Sequence, residues 1–101
     1  MREQIDDSFY DRAEEFIALA NKHMTKEVPS KVSASMNWSA ARFAAWLATA
    51  FEDTAATALP KREEAIEFFT EQFREMFTTH FDAFVQDHDQ IKVKTDKPQT
   101  K

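Results

Sequence analysis

The chain contains no glycine in its 101 residues, and proline occurs only at Pro29, Pro60 and Pro98. Tight β-hairpin turns need residues that adopt positive φ, and glycine does so without steric cost. A sheet built from hairpins is therefore disfavoured. Hydrophobic residues make up 43% of the chain, which is enough for most of it to fold. The sequence predicts an all-α fold with a single helical domain over residues 1–88.

Hydrophobic spacing predicts three helices, at about residues 7–24, 31–56 and 60–88. The second helix begins with Ser30 or Ser33, since both are competent N-caps. In the first helix the apolar side chains recur with a 3.6-residue period, at Phe9, Ala13, Phe16, Ile17, Ala20 and Met24. The connections between the helices are short, so neighbouring helices should run in opposite directions. The predicted architecture is an antiparallel three-helix bundle.

One broad face of the third helix is rich in phenylalanine, and we call it the ladder face. Its members are Ile66, Phe69, Phe73, Met76, Phe77, His80, Phe81 and Phe84. Because Phe69, Phe73, Phe77 and Phe81 are spaced four residues apart, their rings should follow one another along the helix. We expect this face to form the core, with Phe73 and Phe77 buried.

The second helix contains a run from residue 32 to residue 51 whose one ionisable side chain is Arg42. A helix that is apolar on every side is normally buried on every side. Two neighbouring helices would cover only part of it. The run therefore predicts a partner, most simply a second copy of the chain paired through this helix.

Three residues of the same helix form the candidate interface. Trp38, Arg42 and Trp46 are spaced by four, which places the guanidinium between two indoles on one face. Tryptophan and arginine are the residues most enriched in interface hot spots. An alternative reading makes this an internal seam in which Arg42 pairs with a carboxylate of another helix.

Charge and hydropathy exclude several other partners. The net charge is −5, and the last twelve residues hold four lysines and one aspartate, so the remainder carries −8. A body of that sign repels phosphate, which argues against nucleic-acid binding. The apolar run has the length of a membrane span but contains Arg42, Asn37 and two tryptophans, which argues against a membrane helix. Four of the first seven residues are charged, and no apolar segment of a secretory signal lies among them, so we expect a cytoplasmic protein.

No residue pattern predicts catalysis, a cofactor or a metal site. The serines lie outside any nucleophile elbow, and phosphate-binding loops need glycine. The histidines, at His23, His80 and His88, lack the spacing of zinc or di-iron ligands, and there is no cysteine. A row of glutamates, Glu63, Glu67, Glu71 and Glu75, should be a solvated helix face with Arg62 and Arg74 as counterions. We expect a chain that is not an enzyme.

The helical pattern stops after His88. Beyond it, Lys92, Lys94, Lys97 and Lys101 make the end of the chain basic. Residues 89–101 are predicted to be a disordered tail.

Several motifs resemble a family of small bacterial proteins known as a domain of unknown function. They are Asp-Asp-Ser-Phe-Tyr-Asp-Arg-Ala at 6–13, Phe-Ile-Ala-Leu-Ala-Asn at 16–21, Val-Ser-Ala-Ser at 32–35, Ala-Ala-Arg-Phe at 40–43, and a segment at 63–76 that ends in Phe-Arg-Glu-Met. The resemblance covers about residues 5–88. It implies a compact cytoplasmic helical protein and supplies no catalytic residues.

The sequence favours a small regulatory or adaptor module that binds another protein. One alternative is a structural homodimer whose apolar surface is its own interface. A weaker alternative is a carrier that binds a small molecule in a phenylalanine-lined pocket, or an acidic mimic of nucleic acid. A carrier needs a cavity between the second and third helices, whereas an adaptor needs an exposed apolar patch.

Overall fold

The computed structural model describes residues 5–94, with their side chains described as far as His88. This part of the chain is helical and contains no β-strand, which confirms the predicted all-α fold class. The elements are α1 at Phe9–His23, α2 at Pro29–Ala50, a single turn α3 at Ala55–Ala58, a 3₁₀ turn at Leu59–Lys61 and α4 at Arg62–Lys94.

The described residues divide within α2 into two compact units. The first unit ends at Ala40 and contains α1 and the beginning of α2. The second unit begins at Ala41 and contains the end of α2, then α3 and α4.

In the first unit, α1 begins two residues later than predicted, after Ser8. Arg12 reaches back across this end of the helix and donates hydrogen bonds to the Asp6 carboxylate at 3.0 Å and to the Ser8 hydroxyl at 3.2 Å. The hydrogen bond from Arg12 lowers the pKa of Asp6. The side chain of Arg12 thus holds the segment before α1 against the first helical turn.

In the second unit, α2 ends at Ala50 and not near residue 56, because a new helix start intervenes. Thr54 and Thr57 form a reciprocal capping box, in which the Thr54 hydroxyl accepts from the Thr57 amide at 3.2 Å and the Thr57 hydroxyl accepts from the Thr54 amide at 3.3 Å. This arrangement begins the short α3. Lys61 then donates to the Glu52 carboxylate at 2.8 Å and closes the connection to α4.

At its other end, α4 continues to Lys94, six residues beyond the end predicted at His88. Glycine is absent, and the next proline after Pro60 is Pro98, so no helix-breaking residue stops α4 before Lys94. The rest of the predicted tail, residues 95–101, lies outside the described residues.

Among the side chains that the structure describes, burial is confined to the first unit. Among residues 5–88, only Ala20 and Val32 are buried, at 9% and 7% exposure. The prediction that Phe73 and Phe77 form the core is wrong for this chain: their side chains are 57% and 54% exposed. Their spacing correctly aligns them on one face of α4, but periodicity does not determine whether another element covers that face.

Candidate interaction surface

All three residues of the candidate interface lie on α2. Trp38 belongs to the first unit and is 66% exposed, whereas Arg42 and Trp46 belong to the second unit and are also exposed. No charged side chain is buried in the stretch from residue 5 to residue 88. The alternative in which Arg42 pairs with a carboxylate of another helix stays a prediction.

Within the second unit, the large side chains of α2 are exposed, and two of its alanines are less exposed. Trp46 contacts Phe43 with their ring centroids 5.6 Å apart, and both rings are exposed. By contrast, Ala44 and Ala48 are half-buried. The two aromatic rings therefore form a continuous exposed apolar patch at this end of α2.

The ladder face of α4 is a second exposed apolar surface. Its rings contact one another along the helix: Phe73 and Phe77 have centroids 5.9 Å apart, and Phe77 and Phe81 stack at 5.7 Å. His80 and Phe84 stack at 6.4 Å. Phe69 is half-buried, and the other members of the face are exposed. The face contains no Lys, Arg, Asp or Glu.

A shallow groove follows the ladder face beside Phe77. It has a volume of about 170 Å³ and is lined by Phe77, Thr78, Phe81 and Asp82, all of them on α4. Ligand sites for small molecules usually enclose about 300 to 1,000 Å³ and are lined by several elements. This groove is therefore smaller than the usual site for a complete small molecule.

The acidic row lies on the solvated surface of α4, as predicted. Each of its four glutamates is exposed, Arg62 pairs with Glu63, and Arg74 lies 3.7 Å from Glu71. Among the described residues, no group of His, Cys, Asp or Glu is arranged to hold a metal ion.

Sequence reasoning missed one polar feature and misjudged one apolar surface. The ion pair between Glu52 and Lys61 spans the two turns that precede α4, and its hydrogen bond lowers the pKa of Glu52 and raises that of Lys61. Since the sequence predicted continuous helix to residue 56, it gave no reason to bring these two charges together. The ladder face was recognised as apolar, but its composition does not distinguish a core from an exposed surface.

A comparison with protein-family models places these helices in a known family. Residues 9–85 match the model of DUF3144, described as a protein of unknown function. The chain belongs to the DUF3144 family. The match extends from the first residue of α1 into the last part of α4, so the DUF3144 region includes both exposed apolar surfaces.

A solved structure is also similar to this DUF3144 chain. The NMR structure of the protein NB7890A from Shewanella sp. aligns with a TM-score of 0.76 and 26% sequence identity, over 91% of this chain and 98% of that one. The similarity supports the helical fold class. No curated protein matches the sequence. Within the part of the chain described here, no helix is both long and apolar enough to cross a membrane.

Proposed function

We propose that this DUF3144 chain is a small, non-enzymatic helical module that acts in the cytoplasm by binding another polypeptide. The observation that carries the proposal is the exposure of two tryptophans on α2, Trp38 at 66% and Trp46 at 56%. An exposed tryptophan is costly to leave in water, and its burial against a partner releases that cost. A regulatory or adaptor role accords with a module that presents apolar helix surfaces.

The recognition chemistry combines two apolar anchors with one cation. Trp46 and Phe43, whose rings are tilted by 35° to each other, supply an aromatic patch that suits an apolar helix or loop of the partner. Arg42, on the same helix, supplies a planar donor that suits a carboxylate of the partner. Tryptophan provides the binding area and arginine provides the specificity.

The proposal is tested by comparing α2 variants with a matched control. Trp46→Ala and Arg42→Met remove the anchor and the cation, whereas Phe51→Ala removes an aromatic ring that is even more exposed, at 83%. The expected result is a polypeptide retained in stoichiometric amount by the wild type and the control but lost by both α2 variants. That polypeptide, once purified, should bind the wild type in isothermal titration calorimetry. If every retained polypeptide binds all four proteins equally, the interface proposal is wrong.

A structural homodimer paired through α2 is the alternative. It places the same aromatic patch against its own copy and needs no foreign protein. Light scattering across a dilution series separates the two, because a homodimer has twice the chain mass of 11.7 kDa without any added partner. The same measurement on Trp46→Ala then reports whether α2 holds the two copies together.

A further inference from the structure

We infer that the ladder face of α4 is a self-association surface, and that its occupant is the ladder face of a second copy of this chain. The inference goes beyond the α2 interface proposed above, because it concerns another helix and a different set of residues. It does not depend on whether α2 binds a foreign protein.

The exposed area is the size that a specific dimer needs. Phe73, Phe77, Phe81 and Phe84 are each between 54% and 58% exposed, and Ile66 and Met76 are 44% and 38% exposed. With about 200 Å² for a full aromatic side chain, the face offers roughly 600 Å² per copy. Two such faces together would bury roughly 1,200 Å², at the lower end of the range for stable specific interfaces.

The ladder face is complementary in shape to a second, identical ladder face. Phe69, Phe73, Phe77 and Phe81 form a ridge with a spacing of four residues, and ridges of this kind pack into the grooves between the same ridges on another helix. A two-fold dimer places one surface against an identical surface, so it requires this self-match. The shallow groove between Phe77 and Phe81 offers a place for a ring of the second copy.

Charge also favours a second copy over a partner recognised by its charge. The eight residues of the ladder face include no Lys, Arg, Asp or Glu, and Asp82, which lines the groove beside them, is exposed. Two such faces therefore meet through their phenylalanine rings, with the Asp82 carboxylate at the solvated edge of the contact. The acidic row is a separate set of residues, in which Glu63 pairs with Arg62 and Glu71 pairs with Arg74. Because each chain carries −5, added salt should screen the repulsion between copies and tighten the dimer.

The amount of partner that the surface requires also favours a second copy of the chain. The second unit has no buried side chain among those described, so its folded state gains from a permanent cover. A surface that must be covered whenever the chain is folded needs a partner present in equal amount. A second copy satisfies that condition at every expression level.

The test uses two phenylalanines on opposite sides of α4. Phe68 and Phe77 are nine residues apart, which is about 180° around a helix, and they are similarly exposed at 49% and 54%. We expect sedimentation equilibrium of the full-length wild type to give twice the chain mass of 11.7 kDa. Phe77→Asp should weaken the dimer by at least about 30-fold, as loss of a hot spot does, while Phe68→Asp should change its dissociation constant less than about threefold.

A second readout covers the case in which an aspartate variant fails to fold. The chain has no cysteine, so Phe77→Cys and Phe68→Cys each introduce a single thiol. A bis-maleimide with a reach of about 10 Å, comparable to the separation of two packed helices, should link Phe77→Cys into a dimer on a denaturing gel and leave Phe68→Cys monomeric.

Three results would overturn the inference. The first is a wild-type chain that is monomeric at all concentrations, including a monomer that binds a foreign protein through Phe77. The others are equal cross-linking of the two cysteine variants, and a dimer that Trp46→Ala disrupts and Phe77→Asp does not. The last result would leave the α2 homodimer standing. Conversely, a dimer sensitive to Phe77→Asp supports the inference even if no partner for α2 is found.

Discussion

Both units of this chain leave most of their large apolar side chains exposed, but they differ in whether any described side chain is buried. The first unit contains both buried side chains, Ala20 and Val32, neither of which is aromatic. The second unit contains all the phenylalanines except Phe9 and Phe16, yet none of its described side chains is buried. Hydrophobic content and burial are therefore separate properties: a ring is buried only when another element is placed over it.

The difference in burial predicts at which position a charged side chain will lower the free energy of unfolding most. Val32→Asp should lower the free energy of unfolding by about 3 kcal/mol or more, because it places a carboxylate where the native side chain is 7% exposed. Phe51→Asp is the control, since Phe51 is 83% exposed, and it should change the value by no more than about 0.5 kcal/mol. Urea unfolding measures both. Similar losses would remove the distinction between the two units.

The second prediction concerns the ring that the sequence assigned to the core. With Phe73 57% exposed, Phe73→Ala should cost about 1 to 2 kcal/mol in protein dilute enough to be monomeric. The cost should grow with protein concentration if the ladder faces pair, because association then adds to the stability of the wild type. Thermal unfolding over a range of concentrations provides the test. A loss of about 3 to 5 kcal/mol in the most dilute sample would place the ring in the core of the chain after all.

The third prediction concerns α2, which contributes residues to both units. Arg42→Met keeps much of the apolar stem, so the free energy of unfolding should change by less than about 0.5 kcal/mol. Binding of a partner or a second copy through α2 should weaken by about 1 kcal/mol or more, because the cation is lost. Calorimetric unfolding of this variant measures its stability, and calorimetric titration with the partner measures its binding, so the two effects are separated. A large folding defect with normal association would make Arg42 a structural residue.

The smallest effects should come from the ion pairs that close one turn in each unit. The pKa of Glu52 is lowered from its usual 4.5 and that of Lys61 is raised from 10.5. The Glu52 contribution is therefore present above its unfolded pKa and lost as the pH falls through the folded value. The Lys61 contribution is present below its unfolded pKa and lost as the pH rises through the folded value.

The difference in thermal unfolding midpoint between wild type and Glu52→Gln should thus be greatest near neutral pH. It should become smaller at acid pH and at alkaline pH. For Asp6→Asn in the first unit, the difference should shrink only on the acid side, since the pKa of Asp6 is lowered and arginine keeps its proton. Thermal unfolding followed from pH 3 to pH 11 distinguishes the two profiles. An acid-only profile for Glu52→Gln would show that Lys61 contributes nothing through this pair.

Secondary structure was predicted from the sequence more reliably than helix ends or burial. The positions of α1, α2 and α4 follow from apolar spacing and the absence of glycine, which act within a few residues along the chain. The end of α2 was predicted too late because Thr54 and Thr57 form a capping box that starts a new helix. The residues around them have the propensity for a continued α2 as well as for a new helix. The end of α4 was predicted too early because the loss of amphipathic pattern after His88 does not break a helix that has no stop residue.

The sequence predicted that the residues of the candidate interface lie on one helix. Their exposure became known only from the structure. Trp38, Arg42 and Trp46 share α2 because four-residue spacing is a property of the chain itself. Whether the spacing of Phe73 and Phe77 produces a core or a surface depends on the elements placed against α4, and that placement is not encoded in local spacing. An all-α chain and the composition of its helix faces can be read from the residues alone, since both depend on short-range periodicity. Which faces are covered cannot be read in this way, because burial depends on contacts between residues far apart in the chain.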